Sequence, residues 1–250
     1  MSDIENVPNE PIKNIVASPS KSAAAPSMPK WEQLARERIA TGLKKIPKAI
    51  EALKARDAVE ADTRLLVTDV LCDLLGFDKY EDLTAEYQVK GEFADYGVRV
   101  DKQLVAFIEI KRVTQKLNAN HLRQVESYAL KNGVSWAILT NAQTWQLYNI
   151  QLVSGDVCET NLVFEVDLLD VNIKPKEKIE LLLPISREGF AKGIIGEAWR
   201  SKFASSPRAL KPVILSKTVL DEIRKELWRQ HKVKLDGDQM KSAVEQILKD

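Results

Sequence analysis

Apolar residues recur at helical spacing from the first tryptophan onward. Trp31, Leu34, Ile39, Leu43 and Ile46 predict one helix, which Pro47 interrupts. A second helix is expected over residues 48–57. A third, longer one is expected over VEADTRLLVTDVLCDLLGF, with Gly76 as its stop signal. The period then drops to two. TAEYQV (84–89), DYGVRV (95–100) and LVAFIEI (104–110) read as strands. ANHLRQVESYALKNGV returns to the helical period for about four turns and ends at Gly133. SWAILT (135–140) and TWQLYNI (143–149) are strands joined by a tight turn, and LVFEVDL (162–168) is a candidate for another. The remainder is helical. KPKEKIELLLPIS and REGFAKGIIGEAWRSKF lead to a connector at 205–207, and VLDEIRKELWRQH and DGDQMKSAVEQIL form a closing pair. Leu227 and Trp228 are expected to pack on the apolar side of that pair.

Strands framed by helices on both sides predict an α/β fold, a mixed central sheet flanked by helices. Half of the ten prolines and no aromatic residue fall in residues 1–30. Such a segment buries too little apolar surface to offset its ordering entropy, so it is expected to be a disordered tail. Residues 31–172 form the expected core with its leading helices, and 173–250 a helical C-terminal extension.

Composition narrows the function classes. The chain has 250 residues, 44% hydrophobic and 29% charged, with a net charge of +1, the balance of a soluble globular protein. No apolar run approaches the ~20 residues that span a bilayer. The polar, acidic start does not read as a secretory signal. Cys72 and Cys158 are too few for a disulfide scaffold or a four-thiolate zinc site, and a reducing cytoplasm is the expected compartment. With His121 and His231 as the only histidines, a histidine-rich zinc site is disfavoured. There is no G-x-x-x-x-G-K-[ST] loop, so no ATP site is expected. Charge is uneven: residues 30–56 carry +5, 201–250 carry +4 and 57–200 carry −7. Solvated helix faces explain this as well as basic arms that grip a polyanion around a metal-binding middle.

The chemistry concentrates in ADYGVRVDKQLVAFIEIKR, residues 94–112. A three-residue loop at 101–103 would pair Val100 with Leu104 and set Asp95 opposite Glu109. Cross-strand neighbours on one face have Cβ atoms ~5 Å apart. Two carboxylates so close repel unless one is protonated or a cation lies between them. Lys111 follows Glu109 by two residues and shares its face. Two carboxylates with open water positions suit Mg²⁺. An ammonium beside such an ion can orient water and stabilise a pentacovalent phosphate. Glu60 opens a helix, where a carboxylate commonly just offsets the helix dipole. Gln124 and Tyr128 share a face of the helix after Lys111, with His121 one turn earlier. Gln124 could bond a phosphate, a base edge or Lys111, whereas an aromatic such as Tyr128 on an amphipathic helix is usually core. Arg112, beside Lys111, joins Gln124, Tyr128 and His121 as a candidate for substrate binding.

The order Glu60, Asp95, Glu109-Ile-Lys111, Gln124-x-x-x-Tyr128 resembles the PD-(D/E)XK nuclease superfamily. More narrowly it resembles the N-terminal nuclease domain of type I restriction enzyme R subunits, over roughly residues 55–170. The resemblance implies a restriction-endonuclease-like mixed sheet and an Mg²⁺-dependent (or Mn²⁺-dependent) endonuclease acting on DNA. It implies that Asp95, Glu109 and Glu60 hold the metal, that Lys111 assists the nucleophile, and that Gln124 and Tyr128 match the family's helix motif. Two departures stand out. The ATP-driven motor of those subunits is missing, and Ala94 replaces the proline of the superfamily name. A non-catalytic DNA-binding or adaptor module on the same fold is the alternative. RNA as substrate, a homodimer and a separate restriction–modification partner all stay open.

Overall fold

The computed structural model describes residues 28–89, 92–154 and 157–248. Residues 1–27 of the expected tail lie outside the described residues. The chain opens with α1 (Lys30–Gly42), α2 (Ile46–Ala55) and α3 (Glu60–Asp69). Pro47 starts α2 instead of breaking a helix, because in a first turn its missing N–H has no partner to lose. α3 widens into a π-helical turn at Val70–Leu74. It stops at Gly76, whose φ is +82°. A side chain there would strike the Arg38 guanidinium, which accompanies the helix end by donating to the Leu74 and Leu75 carbonyls.

Six strands follow: β1 (Leu83–Val89), β2 (Glu92–Val100), β3 (Gln103–Ile110), β4 (Trp136–Thr140), β5 (Thr144–Ser154) and β6 (Val157–Asp167). They line up in chain order, antiparallel throughout except for the parallel β3–β4 pair. A parallel pair needs a crossover. Here α4 (Ala119–Lys131) supplies it, begun by Asn118, whose side chain accepts from the Asn120 and His121 amides. β5 and β6 form a longer hairpin than the sequence pattern suggests, because its polar outer positions obscure the alternation.

The C-terminal part contains α5 (Pro175–Leu182), α6 (Arg187–Ala191), α7 (Ile194–Ala204), α8 (Pro207–Ile214), α9 (Lys217–His231) and α10 (Gly237–Ile247). The fold is thus mixed α/β, a six-stranded mixed sheet flanked by helices. The main core lies between one sheet face and helices from both ends of the chain. Ile39, Ile50, Leu71, Ile108, Ile110, Trp145, Leu182 and Trp199 all belong to it. A smaller cluster under α4 covers the other face, with Phe107, Val125, Tyr128, Leu139 and Ile150. Residues 175–203 therefore pack into the main core, whereas α9 and α10 close on their own cluster around Leu220, Met240 and Val244. Leu227 packs there as expected. Trp228 does not; it is 46% exposed, with the Lys232 ammonium 4.8 Å above its ring. Among the described residues no helix is long and apolar enough to cross a membrane.

Candidate active site where β2 and β3 part

The β2–β3 turn differs from the expected loop. Val100 pairs with Gln103, so only Asp101 and Lys102 turn the chain, both with positive φ, the backbone of a tight hairpin turn. The register then shifts by one: Arg99 pairs with Leu104 but Val98 with Ala106. Val105 is the bulged residue. The shorter turn and the bulge cancel, and from Val98 to Tyr96 the register is the one that directs Asp95 toward Glu109.

The paired residues end at Tyr96 and Ile108, one step short of those carboxylates. The Asp95 side chain takes over where the ladder stops. Its Oδ2 accepts the Ile110 backbone N–H at 2.7 Å, and its Oδ1 accepts from the Arg64 guanidinium on α3. A buried N–H must find an acceptor, so Asp95 both ends the ladder and satisfies it. Across the gap, Glu109 is 2% exposed. Its Oε1 accepts from Lys111 Nζ at 2.5 Å, and its Oε2 is buried with no hydrogen-bond partner. β3 continues past Ile110 through the Lys111 amide, which donates to the Thr140 carbonyl at 2.9 Å. That bond fixes the Lys111 backbone at the carboxyl end of the parallel pair, where open sheets present their sites.

The electrostatics follow from burial. Burial raises the Glu109 carboxyl to about 7, with the charges of Asp95 and Glu60 adding to it against the opposing pull of Lys111. Burial also works against the Lys111 ammonium. Its bond to Glu109 and the charges of Glu109, Glu60 and Asp95 outweigh that and keep it above its ordinary value. The His121 imidazole is lowered by burial and by the Lys111 charge, with Glu60 opposing.

The expected site residues divide into three sets. Asp95, Glu109 and Lys111 meet in one cluster. Glu60, the first residue of α3, acts on Glu109, Lys111 and His121 through its charge. Among the described residues no group of three or more His, Cys, Asp or Glu side chains is placed to hold a metal. Within the cluster the carboxylates are Asp95 and Glu109, with Glu60 near enough to act on Glu109 through its charge. Arg112 turns away from the cluster. Its guanidinium holds the loop before α3, through the Asp57 carbonyl at 3.1 Å, the Asp57 carboxylate at 2.9 Å and the Ala58 carbonyl at 3.4 Å. Gln124 donates to the Tyr128 hydroxyl at 2.9 Å, and Tyr128 is core, tilted against Phe107. His121 Nε2 lies 3.0 Å from Gln115 Nε2.

Two pieces were missed by sequence reasoning. Arg64 lies one helical turn after Glu60 and so shares its stripe of α3, a signal that was available. Thr63 was not signalled at all; it is buried, and its hydroxyl accepts the Val113 amide at 3.0 Å, docking α3 against the segment after Lys111.

A buried carboxylate oxygen without a donor, beside a second carboxylate, fits a small divalent cation. Mg²⁺ is commonly held by one or two carboxylates and completed by water and substrate phosphate. Comparisons of this chain with protein-family models, with curated proteins and with solved structures find no match.

Proposed function

We propose that the chain is an Mg²⁺-dependent endonuclease that hydrolyses DNA phosphodiester bonds, similar in its site to the nuclease domain of type I restriction R subunits. The carrying observation is the unpartnered, buried Glu109 Oε2 beside Asp95 and Lys111. Glu109 and Asp95 would hold the ion, which when bound supplies charge stabilisation at the scissile phosphate and acidifies a bound water. Lys111 keeps its proton, so it donates to the developing phosphorane charge and orients the attacking water. Arg64 neutralises Asp95 in the free protein and sits ready to meet a phosphate oxygen. Glu60 adds negative charge that favours a cation in the cluster.

Purified protein offered double-stranded DNA, single-stranded DNA and RNA should cut DNA in Mg²⁺ and not in chelator. Lys111→Ala should lose that activity by about 10²- to 10³-fold or more while keeping its fold. Equal cutting by wild type and variant would sink the assignment. A second reading, a non-catalytic DNA-binding module, has one observation in its favour: Arg64 and Lys111 already neutralise Asp95 and Glu109 without a metal. Tight DNA binding with no metal-dependent cutting would select it.

A further inference from the structure

A polar cavity of about 340 Å³ opens beyond the end of β3, between the 113–117 segment and the β4–β5 turn. We propose that it is a subsite for one unstacked nucleotide of the substrate strand, next to the phosphate being attacked. This rests on the nuclease reading and names part of its substrate contact.

Position is the first argument. The cavity begins at Val113, two residues beyond Lys111. The chain turns there, the Gln115 amide donating to the Arg112 carbonyl at 2.8 Å, so the cavity borders the turn that directly follows the cluster's lysine. Gln115 in the wall bonds His121, and the His121 imidazole in turn feels the charges of Lys111 and Glu60.

The lining is the second argument. Lys54 and Lys116 both border the cavity, and neither has a carboxylate within ion-pair distance among the described residues. Lys54 is aimed by Gln143, whose Oε1 accepts from it at 2.7 Å. The one carboxylate in the lining, Glu165, is already engaged by Gln146. The net charge thus suits a phosphodiester. Of the four side-chain amides in the lining, Asn141, Gln143 and Gln146 are engaged at both ends by the protein, and Gln115, held through its Nε2 by His121, keeps its Oε1 as an acceptor for a base-edge N–H.

Rigidity is the third. Asn141 Oδ1 accepts the Thr144 amide at 2.7 Å and Asn141 Nδ2 donates to the Gln115 carbonyl at 2.9 Å. These two bonds lock both walls together before any ligand arrives, which lowers the ordering cost of binding.

The test compares a 12-residue oligo-dT with an abasic 12-mer of the same phosphate count, by fluorescence anisotropy with Ca²⁺ replacing Mg²⁺. Wild type should bind oligo-dT about tenfold more tightly, the effect of one recognised base. Gln115→Ala should bring the two oligomers together. Lys54→Ala/Lys116→Ala, at exposed positions that fold without them, should weaken both equally and reduce the salt slope by about 1 to 1.5. Equal wild-type binding of both oligomers, or an unchanged salt slope in the double variant, overturns the subsite. Lys111-dependent cleavage of DNA, measured in parallel, stands or falls separately.

Discussion

Asp82 and Glu109 are both buried carboxylates, 4% and 2% exposed, and each meets a cation. Their surroundings differ. Asp82 Oδ2 accepts from the Asp78 amide at 2.9 Å and from Arg187 Nε at 2.8 Å, and neither oxygen is buried without a partner. Its backbone carbonyl takes the Arg99 amide, and Arg187 bonds the Leu75 carbonyl through its own amide. Asp82 therefore fastens α6 to the sheet and to the end of the α3 segment. Glu109 has one oxygen on Lys111 and the other on nothing. A buried carboxyl with no oxygen left buried and unpartnered is architecture. One left short costs the fold free energy, and it persists where something outside the fold completes it.

Substitution should separate the two carboxylates. Glu109→Gln should cost more than about 100-fold in Mn²⁺ affinity, measured by titration calorimetry or by the loss of free-Mn²⁺ resonance signal, since even a partner behind a metal ligand is worth 10- to 100-fold. Mn²⁺ affinity equal to wild type would make Glu109 architectural like Asp82. Asp82→Asn should leave Mn²⁺ affinity within about twofold but lower stability by roughly 2 kcal/mol in a urea melt. That is below the usual cost of breaking a fully buried pair because Arg187 is 36% exposed. A melt midpoint unmoved by Asp82→Asn would remove the contrast from the other side.

The pH dependence of stability sharpens the same contrast. The folded protein holds a proton on Glu109 up to about 7, against an ordinary 4.5. The folded state thus binds more protons than the unfolded one between those values, and its stability falls as pH rises through the window. The metal-free protein should lose on the order of 1–3 kcal/mol between pH 4.5 and 7.5 from this group. Glu180 and Glu188, lowered by Arg36 and by Arg38 against burial, give stability that is lost in the opposite direction, as pH falls below 4.5. A Glu109→Gln variant should flatten the decline above pH 5. A decline of the same slope in that variant would mean another group drives it.

Much of this was legible in the chain. Period-two runs located five strands and suggested the sixth, and Gly76 and Gly133 marked helix ends because both need positive φ. The E-x-K pair after an all-apolar strand pointed to the cluster, since LVAFI leaves no packing reason for charge at its end. The turn was miscounted because Asp-Lys is not a usual tight-turn pair, and the Val105 bulge that compensated has no sequence mark. Nothing in the local sequence marks Asp82, because its partner Arg187 stands 105 residues away. Arg112 was expected at the substrate from its place beside Lys111, and its guanidinium is found on the Asp57 loop, more than fifty residues earlier in the chain. Tertiary pairing over such separations leaves no local trace, whereas periodicity does.

Arg64 extends the comparison to Asp95, the second carboxylate of the cluster. Arg187 is part of the structure Asp82 supports, but Arg64 reaches Asp95 from a partly exposed helix face, with a second, looser contact to Glu86 at 3.5 Å, and its Nε is buried without a partner. Asp95 keeps its Ile110 amide whether or not Arg64 is present. If Arg64 stands in for the cation, Arg64→Ala frees an oxygen and should tighten Mn²⁺ binding by about two- to fivefold, under ~1 kcal/mol because Arg64 is itself 30% exposed and shared with Glu86. Arg64→Lys should fall between, because an ammonium keeps the charge but not the planar fork. If Arg64 instead holds Asp95 in position as Arg187 holds Asp82, Mn²⁺ affinity drops in both variants and most in alanine. The sign of that small change decides whether the free protein's second ion pair is scaffold or a counter-ion waiting to be displaced.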